Sequence, residues 1–461
     1  VGAEIEVDYL IVGAGAAGMA MADELLTHTD ATLAIVDRRA APGGHWREAY
    51  PFVRLHQPST YYGVSSTPMG GDTIDSIGIN KGFYELAGAD EICAYYDRVM
   101  STRMLPTGRV HYFPNSDYRE DGTFVSRLSG KSQAVEFRRK RVDARYVEGR
   151  FPASCPPPFE VAAGVRCIPA GEIANLPEAP ERYVIIGAGK TALDVCVFLL
   201  DRGVAPDQIQ WIKSREARWL NRRFQQSHTL LPDMYRGSAM QIVAMAQASS
   251  IEDLFERLEA DEVFLRVDPS TPATALRGAV VSETELALLR QIEDVVRLGH
   301  VQRIERDAIV LTEGRVPTTP GTVHVHCAAR GLPKVEHRPI FAPNLITMQP
   351  VQWSFACYQL AMLGAVEAML EDDESKNRLC RPIDYWDTDA DYLRAFLRTM
   401  TIDRAAMNHP ELQTWMRTTR LNPASGLGPY LEHPEVVRAR GLVKEHAPAA
   451  AQNLMRMLGE G

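Results

Sequence analysis

Two apolar runs, residues 9–12 and 183–186, each break into a glycine-rich turn followed by a helical pattern and a further apolar run. These observations predict an α/β chain built from two Rossmann-like dinucleotide-binding domains, the second carrying a helical insertion. The 461 residues suffice for two or three domains with full cores. The expected layout is a first domain over 1–165 and a second over 180–317, interrupted by helices at about 224–299. Residues 318–461 then return to the first domain and add a helical C-terminal region.

Gly13, Gly15 and Gly18 follow the first run with G-x-G-x-x-G spacing. Gly13 permits the tight turn, Gly15 lets backbone approach a pyrophosphate, and Gly18 allows the helix over 16–26 to pack closely on the sheet. Ala16 and Ala17 open that helix and offer free amides and the positive dipole end to phosphates. Residues 33–36 form the second strand. Asp37 ends it 24 positions after Gly13 (37 minus 13), where a ribose-binding carboxylate is expected, and Arg38 joins it in the cofactor site.

Gly43, Gly44, His45 and Trp46 follow on the next loop. This Gly-Gly-x-Trp segment resembles that of the flavin-dependent monooxygenases with two dinucleotide-binding domains, which include flavin-containing monooxygenases, Baeyer–Villiger monooxygenases and amine N-hydroxylases. The resemblance implies that the first ligand is FAD and that Gly44, His45 and Trp46 lie along it. Read from composition alone, Trp46 is an ordinary core aromatic. Residues 50–59, YPFVRLHQPS, mix rigid prolines with polar side chains. The resemblance places them beside the isoalloxazine ring and makes Arg54, His56 and Gln57 candidates for flavin or substrate contacts, with Arg54 able to grip an anionic group. The alternative is a surface loop with incidental polar residues.

Residues 80–104 read as a scaffold helix, with apolar positions at Phe83, Leu86, Ile92, Tyr96 and Val99. Short runs at 109–118, 124–128, 134–137 and 142–147, separated by turn signals, read as a β-meander finishing the first domain. The stretch 142–147, VDARYV, departs from the Ala-Thr-Gly with which many members of the resembled family close that strand. Cys155 and three prolines after it mark a stiff connector.

Residues 187–194, GAGKTALD, supply the second fingerprint, G-x-G-x-x-A, through Gly187 and Gly189, with Lys190 and Thr191 opening its helix. It resembles the family's second fingerprint, with Thr191 and Asp194 on the polar positions. The next strand, 209–212, ends in Lys213-Ser214-Arg215 instead of an acid. An acid would repel a 2′-phosphate, whereas Lys213 and Arg215 neutralise one, so NADPH is expected over NADH. A solvated pair of surface cations is the alternative.

The insertion is clearest as helix at 251–258 and 283–298, and as a lid, substrate pocket or dimer surface it stays undecided. Runs at 301–304, 308–311 and 322–327 read as strands returning the chain to the first domain, and 328–332 as a loose crossover. Residues 345–350 lead into a helix over about 354–370. The resemblance aims its start at the flavin pyrimidine edge, which makes Met348 and Gln349 cofactor-binding candidates. Such a start would stabilise the negative charge of reduced flavin. Trp386, Tyr392, Phe396 and Trp415 are core candidates.

Hydrophobic residues make up 45% and charged residues 24%, ordinary globular usage, and the net charge of −9 argues against nucleic acid. Seven cysteines contain no C-x-x-C pair, which suits a reducing compartment and disfavours both a disulfide reductase and a zinc site, so no metal is expected. No basic-then-apolar leader opens the sequence. The longest nearly apolar segment, 353–370, is interrupted by Gln359 and Glu367, so no membrane partner is expected. These features point to a cytoplasmic protein, with homo-oligomerisation left open. The resemblance implies an NADPH-dependent FAD monooxygenase whose partners are a small-molecule substrate and O2, oxygenating a heteroatom or carbonyl through a flavin hydroperoxide. Residues 167–173, CIPAGEI, lack the aromatic-glycine-histidine signature of the flavin-containing and Baeyer–Villiger branches, so neither is assigned. An FAD-dependent NAD(P)H dehydrogenase or reductase stays open, as does a nonenzymatic nucleotide-binding protein.

Overall fold

The computed structural model describes residues 5–149, 151–329, 331, 333–352, 355–406 and 408–459, the side chains of 401–406 excepted. Its first sheet is centred on the strand Ile5–Val12, whose last four residues are all buried, as an apolar run between two packed faces must be. That strand pairs in parallel with Leu33–Val36 on one side and with Ser132–Asp143 on the other. The chain therefore changes direction across the sheet at the end of Ile5–Val12, which is where an open α/β sheet leaves a crevice. Helix Ala16–His28 covers one face, packed on helix Ala356–Met369. Gly364 makes this approach possible, since a Cβ there would lie 2.7 Å from the Cβ of Glu24.

Several expectations change in three dimensions. Within 80–104 only Ala89–Val99 is α-helical, continued by a π-turn over Met100–Met104, while Gly82 adopts a positive φ and Gly88 caps the helix. The runs 134–137 and 142–147 are not separate meander strands. One strand, Ser132–Asp143, contains the first run and only the first two residues of the second, absorbs a register shift opposite Val7/Tyr9, and gives way to a turn at 144–147.

The second sheet orders its strands Val295–Val296, Ile209–Ile212, Arg182–Ile186, Thr322–His326 and Cys167–Pro169, all parallel. Thr322–His326 thus belongs to the second domain, and Val301–Ile304 and Ala308–Leu311 pair antiparallel within a small four-stranded mixed sheet. The chain rejoins the first sheet at the hairpin of Phe341–Ala342 and Leu345–Thr347, whose second strand pairs with Ser132–Asp143. The expected boundary at 317 came too early because short apolar strands carry no mark of the sheet they join. Of the crossover 328–332, Arg330 and Leu332 lie outside the described residues, as do Trp353 and Ser354 at the expected helix start.

The insertion is less helical than its pattern suggested. Helices Leu231–Gln247 and Ile251–Ala260 are followed by the strand Ala273–Val281, and the helix expected over 283–298 stops at Leu289. Leu231–Gln247 packs along the C-terminal helix Pro434–Leu458. Between them lies a third core in which Tyr392 is fully buried against Phe264, ring centroids 5.4 Å apart. Trp415 is buried in the core of the first domain, while Trp386 and Phe396 border the third core. The insertion and the helices Asp389–Ala406 and Pro434–Leu458 therefore share one core.

Candidate active site

The first fingerprint turn is bare backbone. Gly13 has φ +110°, a region that favours glycine, and a Cβ on Gly18 would fall 1.8 Å from the Gly13 carbonyl oxygen. Helix Ala16–His28 starts without a side-chain cap, and residues 15–17 are partly open, so its first amides are available. Asp37 is buried at the rim of the turn, where its carboxylate accepts bonds from the amides of Ala14 (2.6 Å) and Arg39 (2.7 Å). Arg38 points outward and pairs with Glu148. Gly44 lies against the turn with φ +60°, and a Cβ there would come within 2.9 Å of Gly15 Cα.

From Gly44 the chain enters the crevice. Trp46 donates from its indole N–H to the Tyr62 hydroxyl at 2.6 Å and meets that ring edge-on, while His45 stacks on Phe151 at 4.8 Å. The loop then docks on the second domain. The Tyr50 hydroxyl donates to Asp194 at 2.6 Å, and Phe52 stacks on Phe198 with centroids 4.2 Å apart. These contacts fasten the loop of one nucleotide fold to the fingerprint helix of the other.

Residues 53–57 divide by face. Val53, Leu55, His56 and Gln57 line the cavity described below, and Gln57 is fixed by a bond from its amide to the Tyr61 carbonyl at 3.3 Å. Arg54 does not line it, contrary to expectation. It forms an isolated β-bridge with Gly88, which turns its side chain to the outer face, and its guanidinium donates to the Leu86 carbonyl at 2.9 Å. His56 faces a charged cluster. Burial, with Lys190 and Arg222 nearby, pushes its pKa down to about 3, so the ring is neutral at ordinary pH, although Glu285 opposes the shift.

In the second fingerprint Gly187 packs against Cys327, and a Cβ on Gly189 would meet nothing within 4 Å. Helix Lys190–Asp201 also starts without a side-chain cap, and residues 187–191 all line the cavity. Lys190 is not a free phosphate ligand. It pairs with Asp194 and lies 3.5 Å from Glu285, which also takes Arg222 at 2.8 Å. Burial opposes the charge on Lys190, but Asp194 and Glu285 hold its pKa above the ordinary value.

Lys213 and Arg215 part company, and only the second can meet a coenzyme in the cavity. Lys213 is fully buried, bonded to Glu216 at 2.6 Å and stacked over Trp211 at 4.7 Å, facing away from the cavity. Burial lowers its pKa despite that partner. It is therefore neither a phosphate ligand nor a solvated cation; the strand end turns it inward, where Glu216, three residues on, neutralises it. Arg215 lines the cavity, and there Arg277 joins it on the carboxylate of Asp387, at 3.3 Å and 2.5 Å respectively. Nothing in the local sequence marked Arg277, because the strand Ala273–Val281 reaches this corner only through the fold.

Met348 and Gln349 also miss the cavity with their side chains. Met348 is packed in the core of the first domain, and the Gln349 amide is spent on the backbone of Arg338, donating to its carbonyl at 2.8 Å and accepting from its N–H at 3.2 Å. Gln352, Ala356 and Gln359, around the start of helix Ala356–Met369, line the cavity instead.

One cavity of about 2200 Å³ joins these parts, running from Trp46 and Tyr62 past His56 to the second fingerprint and Arg215. Its far side is walled by the insertion and the C-terminal helices. Another residue that sequence did not flag is Arg420, which donates to the carbonyls of Thr60, Tyr62 (2.7 Å), Val64 (2.6 Å) and Thr67 (2.7 Å) and so holds the loop that carries Tyr62. Among the described residues no group of His, Cys, Asp and Glu could hold a metal ion, and no helix is long and apolar enough to cross a membrane.

Residues 11–62 match the family of NAD(P)-binding Rossmann-like domains. Over 457 residues the chain is 42% identical to uncharacterized protein Rv2000 of Mycobacterium tuberculosis and to uncharacterized protein Mb2023 of Mycobacterium bovis, covering 98% of this chain and 85% of each relative. Among solved structures, the polycyclic ketone monooxygenase of the thermophilic fungus Thermothelomyces thermophila superposes with a TM-score of 0.53 at 12% identity, over 98% of this chain and 90% of that one.

Proposed function

The chain belongs to the same family as these mycobacterial proteins and has the fold of the flavin monooxygenases with two dinucleotide-binding domains, and on that premise we propose that it is an NADPH-dependent FAD monooxygenase of a small organic substrate. The observation that carries this reading is the single cavity shared by the loop after the first fingerprint and by the second fingerprint itself. Two dinucleotides bound at those turns would bring their redox-active ends together there.

The residues present fit both groups. For FAD, the cradle is the side-chain-free turn of Gly13, Gly15 and Gly18 with the open amides of Ala16 and Ala17, and Asp37 stands at its rim. Gly44 faces that turn, and Trp46 continues the wall into the cavity. For NADPH, the open space over Gly189 and the uncapped helix start suit a pyrophosphate, and Arg215 with Arg277 suits a 2′-phosphate. When bound, the flavin supplies hydride acceptance from the nicotinamide and reaction with dioxygen.

The chain's own contribution is placement and exclusion of water. Tyr50 and Phe52 lock the loop across both folds and so set the distance between the two sites. His56, kept neutral, can donate through one ring nitrogen and accept through the other without bringing charge into the site. Lys190, whose charge acts on it, keeps its proton between two carboxylates.

The test is anaerobic reduction followed by reoxidation. FAD-loaded protein should bleach with NADPH, and admitting oxygen should yield oxygenated product from an accepted substrate. Flavin that is reduced but returns to the oxidised form without product from any substrate would favour a reductase. Protein that retains no FAD would overturn the proposal.

A further inference from the structure

We infer that Tyr50, on the loop of the first domain, is a positioning residue for the coenzyme at the second fingerprint: it holds Asp194 so that Lys190 can leave that carboxylate for a diphosphate. This rests on the reading of the second fingerprint as a coenzyme site. Four charged side chains meet behind that fingerprint, Lys190 and Asp194, 14% and 12% exposed, and Arg222 and Glu285, 4% and 5% exposed. Two cations against two carboxylates leave no net charge for an arriving anion. Of the four, only Lys190 lines the cavity. It opens helix Lys190–Asp201, whose uncapped start borders the same space. A lysine is a point charge on a flexible four-carbon stem, so its ammonium can turn to a phosphate there, provided that the carboxylates it leaves stay satisfied.

The two carboxylates differ in what they would keep. Glu285 retains Arg222 at 2.8 Å and accepts from the Ser282 N–H at 2.6 Å. Asp194 has two side-chain partners among the described residues, Lys190 and the Tyr50 hydroxyl, which donates at 2.6 Å. Without that hydroxyl, the departure of Lys190 would strand a buried carboxylate, a costly outcome. Phe52 stacks on Phe198 of the same helix and so keeps the loop in place for this contact. A phenol of the first domain thus lowers the cost of releasing a cation of the second. The linkage is reciprocal, because a diphosphate that draws Lys190 away leaves Asp194 dependent on Tyr50 and fastens the loop across the two folds.

Calorimetric titration of the FAD-loaded protein tests this with two probes, NADP⁺ and adenosine 2′-monophosphate, which carries a 2′-phosphate but no diphosphate. Tyr50→Phe should weaken NADP⁺ binding about fivefold or more and leave binding of the monophosphate unchanged. Asp194→Asn removes the charge that detains Lys190, so in that background Tyr50→Phe should cost less than about twofold. Lys190→Met should weaken NADP⁺ by itself and silence Tyr50→Phe in the same way, and it supplies the comparison if Asp194→Asn does not fold. An equal loss from Tyr50→Phe in the native and the altered backgrounds would overturn the inference, since Tyr50 would then touch the coenzyme directly. So would unchanged NADP⁺ affinity in Tyr50→Phe, or an equal loss for the monophosphate, which would mark a general disturbance of the domain. These outcomes leave the coenzyme site standing. Native protein that binds no NADP⁺ refutes the site itself, and the inference falls with it.

Discussion

Coenzyme choice gives the sharpest test, because Lys213 and Arg215 lie two positions apart in sequence but differ completely in surroundings. Arg215 shares Asp387 with Arg277, so two cations face one carboxylate and the corner keeps one net positive charge toward the cavity. A hydrogen bond between charged groups is worth about 1.5 to 3 kcal/mol. The Arg215 side chain is 36% exposed and already shared, so the lower end applies, roughly a tenfold preference. Arg215→Ala should therefore lower kcat/KM for flavin reduction by NADPH about tenfold and leave that for NADH nearly unchanged. Asp387→Asn, which removes a repelling carboxylate, should shift the ratio the other way. Lys213→Met should leave the ratio alone and strike stability instead, by about 3 to 5 kcal/mol, because Glu216 would be left buried without its close partner. Adding Glu216→Leu should restore most of that loss. The measurements are the initial rate of flavin bleaching against each coenzyme and the denaturant midpoint of each variant. A ratio that responds to Lys213→Met as strongly as to Arg215→Ala would refute the reasoning.

Gly44→Ala should reduce retained FAD sharply, since its Cβ would meet Gly15 Cα at 2.9 Å in a backbone of positive φ; flavin absorbance per protein after desalting checks this, and full occupancy would contradict it. Arg420→Ala strips a charged donor from four loop carbonyls and should cost about 3 kcal/mol or more, seen as a lower denaturant midpoint, and should speed FAD loss by loosening Tyr62 beneath Trp46. His56 is neutral in the native state, with its pKa lowered from 6.5 to about 3, while the unfolded chain takes up a proton below pH 6.5. Stability should thus be full above about pH 6.5 and fall on acidification by at most about 1.4 kcal/mol per pH unit for this group. Burial lowers His324 and His326 as well, so they share that limb. Glu285 adds its loss only below its ordinary 4.5. His56→Gln should make the decline between pH 6.5 and 4.5 shallower in denaturant titrations, and an unchanged slope would remove His56 from the account.

Sequence alone determined the parts governed by local geometry. Gly13, Gly15, Gly18, Gly187 and Gly189 announce two strand-turn-helix units because only bare backbone permits those turns, and the strands and fingerprint helices formed where the apolar periods placed them. As candidates, Asp37 was legible from its spacing after the first turn, and Trp46 and His56 from the loop that follows the second strand. Tertiary structure decided everything that depends on which face meets which neighbour. Arg54 is turned outward by pairing with Gly88, Lys213 inward by Glu216, and Gln349 is consumed by Arg338. It also assigned Thr322–His326 to the second sheet, brought Arg277 to Arg215 across 62 residues (277 minus 215), and laid the C-terminal helices on the insertion to close the cavity. A local pattern shows that a side chain is polar or a run apolar, but the partner that satisfies it can lie hundreds of residues away, and that choice is made only when the layers pack.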